Sequence, residues 1–369
     1  MSYLEDQLLS IEQKLAGGER LTRDDGLLLL NSNELLRIGA LARLVKQRKS
    51  GNKVYFNVNR HINLTNVCKA RCKLCAFGCD ADASQAYVME PEQALAIARQ
   101  AVADAPEMTE LHIVSGLHPD KPFAYYADII RVIHREFPAL HIKAFTAVEI
   151  AHFAKIAKLS VREVLTVLKE AGLNSMPGGG AEILNDRVRH ILCPDKATAA
   201  EWLEVARTAH QLGIRSNATM LYGHVETPEE RIDHLLTLRQ LQDETGGFQA
   251  FIPFPFHPEN TGLSDLKRTT AWEDLKMLAV SRLMLDNFDH VKAFWIMLTV
   301  PIAQISMGFG IDDLDGTVVE EKILHAAGAK TAIGISKQEI IAFIRETGNI
   351  PVERDTLYRE VRVYEGSEA

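Results

Sequence analysis

The sequence predicts an α/β protein, a (β/α) TIM-like barrel of six to eight parallel strands with a helical N-terminal cap and a C-terminal extension. Three observations carry this. Strand-type runs alternate with helices from Val54 onward. Helices end in glycine and lead directly into the next strand, as in EAGLNSM and QLGIRSN. The polar, glycine-rich segments follow the strands, so in a barrel they gather on one face, where active sites form.

In chain order, residues 1–52 read as a helical cap, with Thr22 and Asp25 at capping-box spacing ahead of an apolar run. Gly51-Asn52 ends it. Residues 53–310 read as the barrel, with strands over 54–59, 110–115, 140–145, 173–177, 214–221, 249–255, 291–298 and 304–309. Ser160 with Glu163, Thr198 with Glu201, and Thr227-Pro228 with Glu230 open three of the helices between them. Regular strand–helix–strand alternation means parallel pairing with right-handed crossovers. Residues 311–369 turn acidic, then helical, then charged, and are expected to form a lid outside the barrel.

The chain has 369 residues, 47% of them hydrophobic, enough for a sizeable core. The formal net charge is −8, without the basic stripe of a nucleic-acid binder. The short cluster Lys46, Arg48, Lys49 and Lys53 reads as a solvated helix end. MSYLEDQLLS lacks a signal layout. The apolar run from Phe294 to Ala303 falls short of the roughly 20 residues that span a bilayer. The expectation is a cytoplasmic protein with no membrane or nucleic-acid partner.

Four of the five cysteines fall at 68, 72, 75 and 79, in the loop after the first strand. A tight cysteine group in an unsecreted chain is a metal or redox site, not a disulfide framework. The spacing Cys68-x3-Cys72-x2-Cys75 lets three thiolates hold three irons of a cubane and leaves the fourth open to a small molecule. Two alternatives use Cys79 as well: a structural zinc site and a closed electron-carrying cluster. Against zinc, the cysteines form one loop and no histidine cluster follows at finger spacing. Against a carrier, so long a chain with glycine-rich strand ends is superfluous. Cys79 and Cys193 read as small buried hydrophobes.

The cysteine loop resembles the radical S-adenosylmethionine signature, with Leu74 where an aromatic residue often stands. The likeness extends through HIVSGLHPDKPFAYY, HIKAFTAVEI, MPGGGAEI, RSNATMLYGHVETPEER, ETGGFQAFIPFPFHPENTGL and DDLDGT, and resembles the aminofutalosine synthases of the futalosine route to menaquinone. The resemblance implies a [4Fe–4S] cluster on Cys68, Cys72 and Cys75, and S-adenosylmethionine as co-substrate. It implies addition of the 5′-deoxyadenosyl radical to 3-[(1-carboxyvinyl)oxy]benzoate, giving 6-amino-6-deoxyfutalosine after rearrangement and decarboxylation. A flavodoxin- or ferredoxin-like electron donor follows from the same likeness. The runner-up is the dehypoxanthine futalosine cyclase, which uses the radical to abstract hydrogen.

Other candidate residues follow the strands. Ser115 and Gly116 are, by resemblance, the counterpart of a Gly-Gly element that holds the methionyl amine. Glu149 and Glu182 offer carboxylates to ribose hydroxyls or an amine, although a glutamate in a helix's first turn is also simply favoured by the dipole. Three glycines before Glu182 favour a ligand there. Asn217 and Thr219 share one face of the fifth strand, which Tyr222 ends. The substrate's two carboxylates need cations. His118, Lys143, Arg189, His224 and His257 lie near strand ends, and Arg189 and His257 are the candidates chosen.

Overall fold

In a computed structural model, residues 3–319, 322–328, 331–332 and 334–366 are described. The strands are β1 (Lys53–Asn57), β2 (Asn59–Asn63), β3 (Glu110–Val114), β4 (His141–Ala144), β5 (Ser175–Met176), β6 (Arg215–Tyr222), β7 (Phe248–Pro255), β8 (His290–Val291), β9 (Asp313–Gly316), β10 (Ile350–Arg354) and β11 (Glu360–Val363). β2 to β8 form one all-parallel, seven-stranded sheet in sequence order, a TIM-like partial barrel.

The helices between the strands start where their capping boxes place them. Ser160, Thr198 and Thr227 each accept the N–H of the glutamate three residues on, and that glutamate reaches back. Gly172 ends its helix with φ +118°, a conformation that side chains rarely adopt. The cap is three helices, Tyr3–Gly17, Arg23–Asn31 and Leu35–Ser50. They lie against the outer helices Pro228–Thr245 and Ala271–Met284. Lys46 is no solvated residue. It is buried, and its ammonium donates to the Gly51 carbonyl at 2.9 Å and to Asn349 Oδ1 at 3.1 Å.

Four expectations are corrected. The run 54–59 is not one strand. It breaks at Val58, so that β1 and β2 serve different sheets. Residues 291–298 leave the sheet after Val291 and turn helical at Trp295–Leu298. Residues 304–309 are the end of a helix, Val300–Ser306, and a 3₁₀ turn. Residues 291–298 are wholly buried and nearly all apolar, so without a polar face neither period shows. The fourth correction concerns only the start of the extension beyond Ile311: residues 313–319 join the barrel instead of standing outside it. β9 lies beside β1 in a second sheet of order β11-β10-β1-β9. The segment that begins with β9 also bridges the open edges of the large sheet. Ala293 N–H donates to the Asp313 carbonyl at 2.9 Å, and His61 N–H to the Val319 carbonyl at 3.1 Å. One irregular segment thereby spans from β8 to β2.

DLDG has poor strand propensity, and its place is set by charge. Asp313 is paired with Arg354 at 2.6 Å, Asp315 with Lys292 at 2.7 Å, and the preceding Asp312 with Arg282. Among the described residues, no helix is long and apolar enough to cross a membrane.

Candidate active site

The loop after β2 carries the cysteines and is fixed from several sides. Cys68 N–H donates to the Cys79 carbonyl at 3.1 Å, and Cys79 N–H to the Asn66 carbonyl at 2.9 Å. Lys69 N–H reaches the Leu117 carbonyl. Lys73 N–H donates to the Leu192 carbonyl at 2.7 Å, and the Lys73 carbonyl accepts Gly262 N–H at 2.8 Å. Cys79 thus acts through its backbone, as a stitch that closes the loop.

Cys68, Cys72 and Cys75 are half-buried and line a cavity of about 320 Å³. Cys79 and Cys193 are buried and do not line it. Leu117 N–H points at Cys68 Sγ, 3.3 Å away, a donor that stabilises a ligating thiolate. Gly78 lies between two of the thiols: a Cβ there would stand 4.0 Å from both Cys68 Sγ and Cys75 Sγ. Burial pushes the Cys72 thiol up to about 12, and the charge of Lys196 opposes that. Three soft thiols on one cavity wall, one with an N–H donor, suit an iron–sulfur cluster held at three corners.

Ser115 and Gly116 follow β3 beside this loop. Gly116 N–H donates to the Thr65 carbonyl at 2.9 Å, and a Cβ on Gly116 would lie 2.5 Å from the Val67 carbonyl oxygen. Glycine is therefore required where the β3 loop meets the cysteine loop. Gly116→Ala will displace the cysteine loop, cost about 1–3 kcal/mol of stability, and lower the iron bound per chain after reconstitution. Iron analysis beside urea unfolding checks this.

Glu149 lines the cavity, but its oxygens are already engaged. Oε1 accepts Ser115 N–H at 2.7 Å; Oε2 accepts Thr146 N–H at 2.7 Å and the Thr146 hydroxyl at 2.8 Å. Burial pushes its carboxyl up to about 7 against these donors. The capping role and the cavity role coincide in this residue.

Glu182, at φ +48°, lines the cavity and pairs with Lys196 Nζ at 2.7 Å. Burial raises its pKa, but Lys196, then Arg189 and His224, bring it below the usual carboxylate range. Asn217 and Thr219 face the cavity as period two requires, with the Thr219 hydroxyl donating to the Gly178 carbonyl at 2.8 Å.

Tyr222 has the opposite parity and does not reach the site: it is fully buried, and its hydroxyl donates to Asp274 Oδ1 at 2.8 Å. Arg189 does not meet the cavity either. Its guanidinium is spent on the carbonyls of Gly180, Ala181 and Ala197, which fixes the turn that presents Glu182. His257 does line the cavity, with Nε2 2.9 Å from the Met297 carbonyl, and burial lowers its pKa. Of the remaining cationic candidates, Lys143 lines the cavity, whereas His118 and His224 bond within their own loops.

Sequence reasoning missed Lys196, His61, His112 and Asp315, all of which line the cavity. His61 and His112 carry a readable signal, since each sits on a strand at the parity that faces inward. Lys196 carries none, because it comes from an irregular segment, and Asp315 carries none, because its short strand DLDG reads as a turn.

Residues 62–238 match the radical SAM superfamily model, and residues 245–366 match the CofH/MqnC C-terminal region. The chain is 48% identical to the aminodeoxyfutalosine synthase of Thermus thermophilus, over 98% of both chains. It is 40% identical to a 5-amino-6-(D-ribitylamino)uracil–L-tyrosine 4-hydroxyphenyl transferase of Methanothermobacter thermautotrophicus, over 93% of this chain and 95% of that one. The solved structure of methylornithine synthase (PylB) shares the fold, with a TM-score of 0.72 at 18% identity, covering 93% of this chain and 97% of that one.

Proposed function

Since the chain belongs to the aminodeoxyfutalosine synthase family of radical S-adenosylmethionine enzymes, we propose that it joins the adenosyl group to 3-[(1-carboxyvinyl)oxy]benzoate. The product is 6-amino-6-deoxyfutalosine, with the enolpyruvyl carboxylate lost as carbon dioxide and methionine as by-product. Its cofactors are a [4Fe–4S] cluster and S-adenosylmethionine, the latter consumed. The observation that carries the reading is the cavity itself, which three thiols line together with a largely apolar wall.

When bound, the cluster supplies the electron that splits S-adenosylmethionine into methionine and a 5′-deoxyadenosyl radical. Cys68, Cys72 and Cys75 would hold it. The chain's other residues position reactants and exclude water. Ser115 and Gly116 form the rim beside the cysteine loop, where the methionyl end lies. Glu182, tied to Lys196, takes a hydrogen-bonding group of the nucleoside, with Asn217 and Thr219 on the adjoining wall. Ile252, Phe254 and Phe294 give the substrate's ring an apolar wall. This wall favours carbon–carbon bond formation, because it leaves a carbon radical little to react with except the substrate. A flavodoxin- or ferredoxin-like protein supplies the electron.

Anaerobic turnover of the reconstituted enzyme with S-adenosylmethionine, a reductant and the enolpyruvyl benzoate tests this by mass spectrometry. The expected product carries the adenosyl group and forms with methionine. Release of 5′-deoxyadenosine alone would remove the substrate assignment and bring forward the cyclase reaction.

A further inference from the structure

We propose that His61, His112 and Lys143, which line the cavity from within strands β2, β3 and β4 rather than from the cysteine loop that follows β2, bind the carboxylate on the substrate's aromatic ring and so fix which end meets the adenosyl radical. This rests on the substrate reading above.

The three residues are register partners on adjacent strands: His61 on β2 opposes His112 on β3, which opposes Lys143 on β4. They form a row across the inner face of the sheet, and all three line the cavity. The two imidazoles stack, with centroids 4.4 Å apart and planes at 23°. On β3 only His112 and Val114 keep accessible surface, and both face the cavity.

The row is rich in donors but carries little net charge. Lys143 Nζ is 2.6 Å from Glu110 Oε2, and Lys292 Nζ is 2.7 Å from Asp315 Oδ1, so these buried charges offset one another. An ammonium has three N–H groups, and one close contact to Glu110 leaves others to give. Burial, then the proximity of His61 and Lys143, keeps His112 neutral. A neutral imidazole still offers one N–H, and a carboxylate beside it favours the protonated form.

The ligand's shape supplies the direction. It has a carboxylate at each end and an aromatic ring between. The vinyl carbon has to lie near the cysteines, where the radical forms. The ring then lies along Ile252, Phe254 and Phe294, and the far carboxylate reaches the His–His–Lys row. A purely structural histidine stack would not distinguish a ligand with this carboxylate from one without it.

The test compares 3-[(1-carboxyvinyl)oxy]benzoate with 2-phenoxyprop-2-enoate, which lacks only the ring carboxylate. Binding to the anaerobic holoenzyme with S-adenosylmethionine and no reductant is measured by calorimetry, and turnover by mass spectrometry. The wild-type enzyme should bind the analogue roughly 10- to 100-fold more weakly. His112→Asn and His61→Asn should weaken the full substrate about tenfold, with little change for the analogue. Lys143 stays in place, because its removal would orphan the buried Glu110. Equal wild-type affinity for the two ligands overturns the proposal and needs no variant that folds. Equal weakening of both ligands by the variants makes the histidines structural and overturns it too. If the wild-type enzyme forms no adenosylated product from the full substrate, the functional reading fails and this inference fails with it. Product formation with equal affinities defeats the inference alone.

Discussion

Replacing Cys68, Cys72 or Cys75 singly by alanine will leave reconstituted protein without the visible absorption of a cluster and reduce adenosylated product to background. On the proposed reading each thiol holds one corner of the cluster, and neither of the other two cysteines lines the cavity. Cys193 is buried and absent from the cavity wall, and Cys79 faces away while its backbone closes the loop. Cys79→Ser should therefore keep iron, colour and product. Its cost is that of burying a hydroxyl in place of a thiol, about 1–3 kcal/mol at most, and urea unfolding reads that. If Cys79→Ser alone bleaches the protein while the fold survives, the site has four thiolate ligands. The open iron position, and the chemistry that depends on it, would then be lost.

Asp313→Ala should destabilise the fold by about 3–5 kcal/mol, the cost of leaving a buried charge without its partner. Arg354 Nε donates to Asp313 Oδ2 at 2.6 Å, and neither side chain has solvent access. In the variant Arg354 will not escape by losing its proton, because an arginine stays charged in proteins even when buried. Asp313→Leu combined with Arg354→Met should recover part of the loss, because neither charge is then left alone, while the Asp315 N–H still loses its acceptor on Asp313 Oδ1. Glu136→Ala, which breaks the exposed pair with Arg99, should change stability little. Chemical unfolding of the four proteins separates these cases. A loss no larger for Asp313→Ala than for Glu136→Ala would remove charge pairing as the reason that β9 takes its place.

The contrast between these two predictions shows what the amino-acid sequence reveals. The cysteine loop is legible because its chemistry is local: three thiols within eight positions and a strand just before them. The helices are legible for the same reason, since Ser160, Thr198 and Thr227 each declare a start three residues ahead of a glutamate. Asn217 and Thr219 are placed by simple alternation, and the same rule, applied to Tyr222, turns it away from the cavity. Arg189 was out of reach. An arginine's partners here are three carbonyls contributed by two loops, and no spacing announces them. β9 is the extreme case. An acidic DLDG segment reads as a turn until Lys292 just after β8, Arg354 of β10 and Arg282 of the helix Ala271–Met284 are brought around it and the preceding Asp312.

The bridging of the partial barrel by residues 313–319 also bears on the order of events during synthesis. The cysteine loop leaves the ribosome long before Leu192 and Gly262, which pin it, and before Asp313 and Val319, which link β8 to β2. β1 has to wait longer still, for β10 near the end of the chain. Such distant pairings make folding slow and leave intermediates with open sheet edges. The nascent cysteines are thus accessible while the pocket around them is unfinished. A cluster delivered in that interval enters a loop that can still move, whereas one delivered afterwards must pass through the completed cavity.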